Sequence, residues 1–219
     1  MQAVRAILIW GGLVLALVVP LGAAALSPLL AWRDPVYIAA GFAGIVALCL
    51  MLVQPLLIRA WLPGLTPPRA RRGHRLLGQV LTGCVLLHVA GLWITSPPDV
   101  IDVLLFRSPT PFGVWGAIAL WSVLATALLA LLRTRWPLLR RWWRGAHGLL
   151  TFAVVAATVA HVLPIEGTME PRTKLALCGL VIAGFAAALP SLVAGARRSG
   201  ARYQGGRGYS ISMTRAWRL

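Results

Sequence analysis

Residues 72–95 read RGHRLLGQVLTGCVLLHVAGLWIT, an apolar stretch with His74 near its head and His88 fourteen residues further on. At 1.5 Å and about 100° per residue, that interval is roughly 21 Å of helix and stops about 40° short of four full turns, so both rings share one face. The chain has only two other histidines, and they repeat the interval: His147 and His161, in residues 144–162, RGAHGLLTFAVVAATVAHV. Two helices so built, side by side, would offer two facing pairs of imidazoles, one above the other. Neutral imidazole is a good iron ligand, and a six-coordinate haem iron takes two of them.

The surrounding composition is that of a membrane protein. Of 219 residues, 59% are hydrophobic and 12% charged, and the mean hydropathy of +0.80 lies far outside the range of soluble domains. Apolar runs long enough for a hydrocarbon core of about 30 Å fall at 6–26, 36–58, 76–95, 112–132, 146–164 and 174–195. The expected fold is therefore all-α, a polytopic bundle of six transmembrane helices. Ser27-Pro28, Asp34-Pro35, Pro63-Gly64, Pro67-Pro68, Pro97-Pro98 and Pro109 to Pro111 supply the breaks. Trp32, Tyr37, Trp61, Trp93, Trp136, Trp142 and Trp143 sit near span ends, as an interfacial aromatic belt requires.

Charge orients this bundle, because retained Lys and Arg mark the cytoplasmic side. Arg5, Arg59, Arg69, Arg71, Arg72, Arg75, Arg133, Arg135, Arg140, Arg141 and Arg144 share one side with Arg197, Arg198, Arg202, Arg207, Arg215 and Arg218, seventeen of twenty-one cations. Arg33, Arg107, Arg172 and Lys174 fall on the other side, together with all five acids, Asp34, Asp99, Asp102, Glu166 and Glu170. Both termini are expected in the cytoplasm. The net charge of +16 then reflects topology, and nucleic acid is not an expected partner. Membrane lipid is: residues 196–219, rich in Gly, Ser and Arg, read as a basic flexible tail resting on anionic headgroups or docking an acidic electron donor. Residues 1–26 resemble a secretory signal but carry a longer apolar run, so a retained helix is the favoured reading. Cys49, Cys84 and Cys178 stand singly within spans and read as packing residues.

The third and fifth spans run in the same direction. His74 and His147 therefore lie near the cytoplasmic end, and His88 and His161 nearer the outer leaflet. A lone intramembrane histidine often only bonds a neighbouring helix, but four at matched spacing in matched helices argue for ligation. Zinc would need its ligands to converge on one point, whereas these occupy two levels. Gly78, Gly91, Gly148, Ala157 and Ala160 lie beside the ligands and would either make room for a flat macrocycle or serve ordinary helix packing.

Arg72-Gly73-His74-Arg75-Leu76-Leu77-Gly78, Leu87-His88, and Arg144-Gly145-Ala146-His147-Gly148 followed by His161 resemble the ferric reductase-like transmembrane domain, shared by ferric-chelate reductases and NADPH oxidases. The resemblance covers about 36–195, within a six-helix haem-binding domain drawn at 1–195. It implies two b-type haems, an inner one between His74 and His147 and an outer one between His88 and His161. It also implies electron flow from a cytoplasmic reductant to an extracytoplasmic acceptor across a bacterial inner membrane. Arg75 and Arg144, with Arg71 and Arg72, would pair with inner haem propionates, and Arg107, Arg172 or Lys174 with outer ones.

The large reductases of that family carry flavin and nicotinamide domains after the sixth helix, and no G-x-G-x-x-G in a strand-turn-helix setting occurs here. Arg207-Gly208-Tyr209-Ser210 resembles a flavin-binding motif without the barrel that would position it. A separate flavin or NAD(P)H reductase is thus the expected donor, and the chain the haem subunit of an oxidoreductase. Alternatives are the haem subunit feeding a periplasmic methionine sulfoxide reductase, a quinol-linked cytochrome b with Glu166 as proton acceptor, and a non-redox transporter or assembly factor.

Overall fold

A computed structural model describes residues 1–190. Among these the chain forms seven α-helices: α1 (Gln2–Ala25), α2 (Pro35–Ile58), α3 (Pro67–Thr95), α4 (Pro97–Leu104), α5 (Pro111–Leu132), α6 (Pro137–Val162) and α7 (Pro171–Pro190). A single 3₁₀ turn, Pro28–Leu30, follows α1. Six of the helices, all but α4, are long and apolar enough to cross a membrane. The protein is an integral, multi-pass, all-helical membrane protein. The tail drawn at 196–219, with Arg207 to Ser210, lies outside the described residues, as does the end of the sixth expected span.

Every helix after α1 opens on a proline. Proline at the first helical position lacks an N–H that would have no partner there, and its φ is already helical. The prolines read as breaks are thus also helix starts. Asp34 completes one of them, its carboxylate accepting from the N–H groups of Val36 (2.7 Å) and Tyr37 (3.3 Å).

Two boundaries differ from the hydropathy reading for one reason. Apolar runs start at 76 and 146, but α3 and α6 each begin nine residues earlier, in arginine-rich first turns. Hydropathy detects the part of a helix that lies in hydrocarbon, whereas backbone hydrogen bonding carries the helix beyond it. The eight-residue α4 was not expected. Its Pro97-Pro98 read as a break, yet Pro97 begins a helix with Asp99 in its first turn, where a carboxylate favours the dipole, and the Ser96 hydroxyl bonds that carboxylate.

The core is narrow and central, built from Ile45, Leu48, Cys49 and Leu52 of α2, Leu81, Val123 and Val154 of α3, α5 and α6, and Leu177 and Val181 of α7. Elsewhere large apolar side chains face outward: Leu15, Leu87, Leu131 and Leu149 are each 62–70% exposed. So much outward apolar surface suits lipid and not water. Charged ends are brought together by specific contacts. The Trp10 indole N–H donates to the Pro63 carbonyl (3.2 Å), and the Arg133 guanidinium lies 4.2 Å from the Trp143 ring centre. The first of these joins α1 to the α2–α3 connection, the second closes the α5–α6 connection, and the contact of His74 with His147 brings both to one end of the bundle.

The most closely packed pairs are α2 with α3 and α5 with α6, two antiparallel hairpins, while α3 and α6 make few close backbone approaches to each other. The hairpins follow one plan. Arg71, His74, Leu76, Leu77, His88 and Val89 recur 73 residues later as Arg144, His147, Leu149, Leu150, His161 and Val162, and Gly44 and Leu48 recur 72 residues later as Gly116 and Leu120. Each hairpin pairs a glycine-bearing first helix with a second helix carrying two histidines.

Candidate functional site

Near the arginine-rich end, His74 of α3 and His147 of α6 face each other across the space between their helices. Their ring centroids are 6.2 Å apart and their planes 84° from parallel. Trp143, one turn before His147, stacks on its ring at 4.7 Å and 14°, and Arg133 caps that stack from the end of α5. Nearer the other end, His88 and His161 stand fourteen residues further along the same two helices. The structure thus brings His74 and His147 together and carries His88 and His161 at a second level on those helices. Among the described residues, no three His, Cys, Asp or Glu side chains gather as a metal-holding cluster, so the converging set that zinc prefers is not offered here.

The outer rings are held by backbone. His88 Nδ1 lies 2.8 Å from the Ala40 carbonyl oxygen, and His161 Nδ1 lies 2.8 Å from the Phe112 carbonyl oxygen. A carbonyl can only accept, so both rings carry their proton on Nδ1 and keep a bare lone pair on Nε2. Each carbonyl is reachable because the residue four positions on is glycine. A Cβ on Gly44 would stand 3.1 Å from His88 Nδ1, and one on Gly116 would stand 2.7 Å from His161 Nδ1. Neither glycine was singled out from the sequence. The signal that finds them is the repeat itself, with glycine at matching places ahead of each histidine pair.

The inner rings are held differently. The Gln54 amide of α2 approaches His74; with the amide turned so that its nitrogen faces the ring, that nitrogen donates to Nδ1 (2.5 Å) and to the His74 carbonyl oxygen (3.2 Å), and its oxygen accepts from the Gly78 N–H (2.9 Å). His147 Nδ1 is buried and has no hydrogen-bond partner.

The small residues expected beside the ligands divide into two groups. Gly148 has nothing within 4 Å of a Cβ position and borders open space, as do Gly145 and Gly83. Gly91 instead lets α3 close on Ala40, and Ala157 is buried in helix packing. Arg75 and Arg144 are exposed at the arginine-rich end, beside His74 and His147. Arg133 acts on both His74 and His147 and was missed as a candidate, because it falls in a connection fifty-nine residues from His74. At the outer end Lys174 is buried and donates to the Ile165 carbonyl (2.7 Å), tying down the α6–α7 connection, while Glu166 is exposed.

Comparison with known protein families gives a match to the ferric reductase like transmembrane component over residues 40–158. The matched segment holds His74, His88 and His147 and stops three residues before His161. No curated protein and no solved structure matches the chain. Transmembrane domains of this kind generally bind haem, and the family makes the chain a membrane electron-transfer component. With more than half of its length matched, the protein belongs to the ferric reductase-like transmembrane family.

Proposed function

We propose that this protein is a diheme b-type conduit passing electrons from a cytoplasmic reductant to an extracytoplasmic acceptor, with His74 and His147 holding an inner haem and His88 and His161 an outer one. The observation that carries the reading is the approach of His74 and His147 across two helices that barely touch, with His88 and His161 at a second level on the same helices. The inner pair also fits the group. Two imidazoles on opposite sides of one ion, with metal–nitrogen bonds of about 2 Å and ring centres about 1.2 Å behind each nitrogen, have centroids roughly 6.4 Å apart. The observed separation is 6.2 Å.

When bound, each haem supplies a one-electron iron couple whose potential the protein adjusts through ligands, hydrogen bonds and dielectric. The chain's own residues provide the rest. Ala40 and Phe112 hold the Nδ1 protons of His88 and His161, which orients those rings and raises their basicity as ligands. Apolar helices around both levels keep water out. Arg133, Arg75 and Arg144 give the inner end the positive charge suited to haem propionates and to an acidic donor, for which a separate flavin or NAD(P)H reductase is the proposed class. Positive-inside asymmetry supports a cytoplasmic position for that end and for both termini, and the membrane is proposed to be a bacterial inner membrane.

The test is pyridine haemochrome stoichiometry on the purified chain. Two haems per polypeptide are expected, falling to about one when His88 or His161 becomes Ala, with the inner spectrum retained. Protein that keeps two haems after each single replacement would remove the assignment. Protein with no Soret band after haem-supplemented expression would favour a non-redox role.

A further inference from the structure

We propose that Gln54 is a positioning residue for the inner haem, setting the proton position and orientation of its ligand His74. The inference rests on the reading of His74 as a haem ligand. Three of the four histidines have an Nδ1 partner, and only at His74 is it a side chain. Gln54 stands inside α2, within an otherwise apolar run, where a polar side chain costs free energy unless it finds partners. It finds them on one turn of α3, at His74 and at the N–H of Gly78. A Cβ at Gly78 would lie 3.6 Å from the end of the Gln54 amide, so the amide faces this turn closely.

The chemistry of the amide differs from that of the outer carbonyls. A backbone carbonyl accepts only and locks the proton on Nδ1. A glutamine amide serves either tautomer: its nitrogen donates to a bare Nδ1, and turned over, its oxygen accepts from an Nδ1–H. Were His74 to ligate iron through Nε2, its proton would stand on Nδ1, and the amide would turn its oxygen to that proton, giving up its bonds to the His74 carbonyl and the Gly78 N–H. The other hairpin has no such device. The residue 72 positions after Gln54 is Thr126, whose hydroxyl donates to the Ser122 carbonyl (2.7 Å), and the Nδ1 of His147 is left without a partner. Among the described residues, Gln54 is the side chain whose amide reaches Nδ1 of His74.

The test compares full-length Gln54→Leu and Gln54→Glu with wild type by haemochrome stoichiometry, spectral redox titration and haem retention. An acceptor at Nδ1–H makes imidazole a stronger donor to iron. Leucine should therefore raise the inner midpoint potential and weaken retention of that haem by roughly ten- to a hundred-fold. Glutamate, a stronger acceptor, should shift the same midpoint downward. The outer haem should titrate unchanged in both, which also shows that the bundle has folded. Opposite shifts from two substitutions are not the mark of general disruption, so either variant alone failing to fold leaves the sign of the other to decide. Unchanged midpoints and retention in the variants, with His74→Ala still losing one haem, would overturn the role of Gln54 alone. Retention of both haems in His74→Ala would overturn the ligand reading and this inference together.

Discussion

Gly116 and Gly44 do at the scale of single residues what the histidines cannot do alone. An imidazole on a helix surface is free to rotate, and a fixed acceptor at Nδ1 ends that freedom. In each hairpin the acceptor is a helix carbonyl already bonded within its own helix, uncovered because the residue four positions on has no side chain. Replacing Gly116 by Ala would place a methyl 2.7 Å from Nδ1 and 2.8 Å from Cε1 of His161, contacts that force the ring off the Phe112 carbonyl. Gly44→Ala is milder, at 3.1 and 3.3 Å. The lost hydrogen bond is worth about 1 kcal/mol net, and disturbed outer-shell support typically lowers metal affinity by about 10–100-fold. We expect Gly116→Ala to deplete the outer haem more than Gly44→Ala, read as haem per polypeptide and as the remaining spectrum. Equal haem content in both variants and wild type would show that the carbonyl contacts are dispensable. These positions explain what was legible. Histidine is rare and its spacing counts directly, so the four ligand candidates stood out. Their supports did not, because a backbone carbonyl has no residue type and a glycine in a membrane helix has many uses.

Among the elements, α3 and α6 carry all the ligand candidates and α2 and α5 carry their acceptors, leaving α1 outside the site. The six spans were readable from apolar length, since hydrocarbon thickness imposes it. The arginine-rich turns that begin α3 and α6 were not, and neither was α4, whose eight residues are too short and too polar to register as a span. The position of α1 has a consequence for the signal-like reading of residues 1–26. Its outer face, with Ile7, Leu8 and Leu15, is turned to lipid, and it packs on α2 and carries no histidine or histidine acceptor. Lipid tails are as apolar as the side chains they would replace, so losing this contact in a bilayer carries little hydrophobic penalty. A chain started by Met at Ser27 should hold the same number of haems as the full chain, with some loss of thermal stability from uncovering the core around Leu48 and Leu177. Haem content reduced to half or less would instead make α1 a structural part of the site.

Across the whole molecule, direction is the property that charge alone carries. The hairpins are alike, and an electron path between two haems has no intrinsic sense; what distinguishes the ends is that arginine gathers at one and every acid at the other. The Trp10–Pro63, Arg133–Trp143 and His74–His147 contacts bind the arginine-bearing segments into a single surface beside the inner pair. If that surface is cytoplasmic, a cysteine at Thr134 should resist a membrane-impermeant thiol reagent added to intact cells and react only after permeabilisation. A cysteine at Glu166, exposed at the opposite end, should react at once. The native thiols give a low background, because Cys49 and Cys178 are buried and Cys84 is partly so. The reverse labelling pattern would invert the bundle, placing His74 and His147 on the acceptor side and requiring the donor to dock among the acids. Arginine outweighs acid so heavily at the Thr134 end that such an inversion would run against the retention of positive charge in the cytoplasm, and labelling from outside is therefore expected at Glu166 alone.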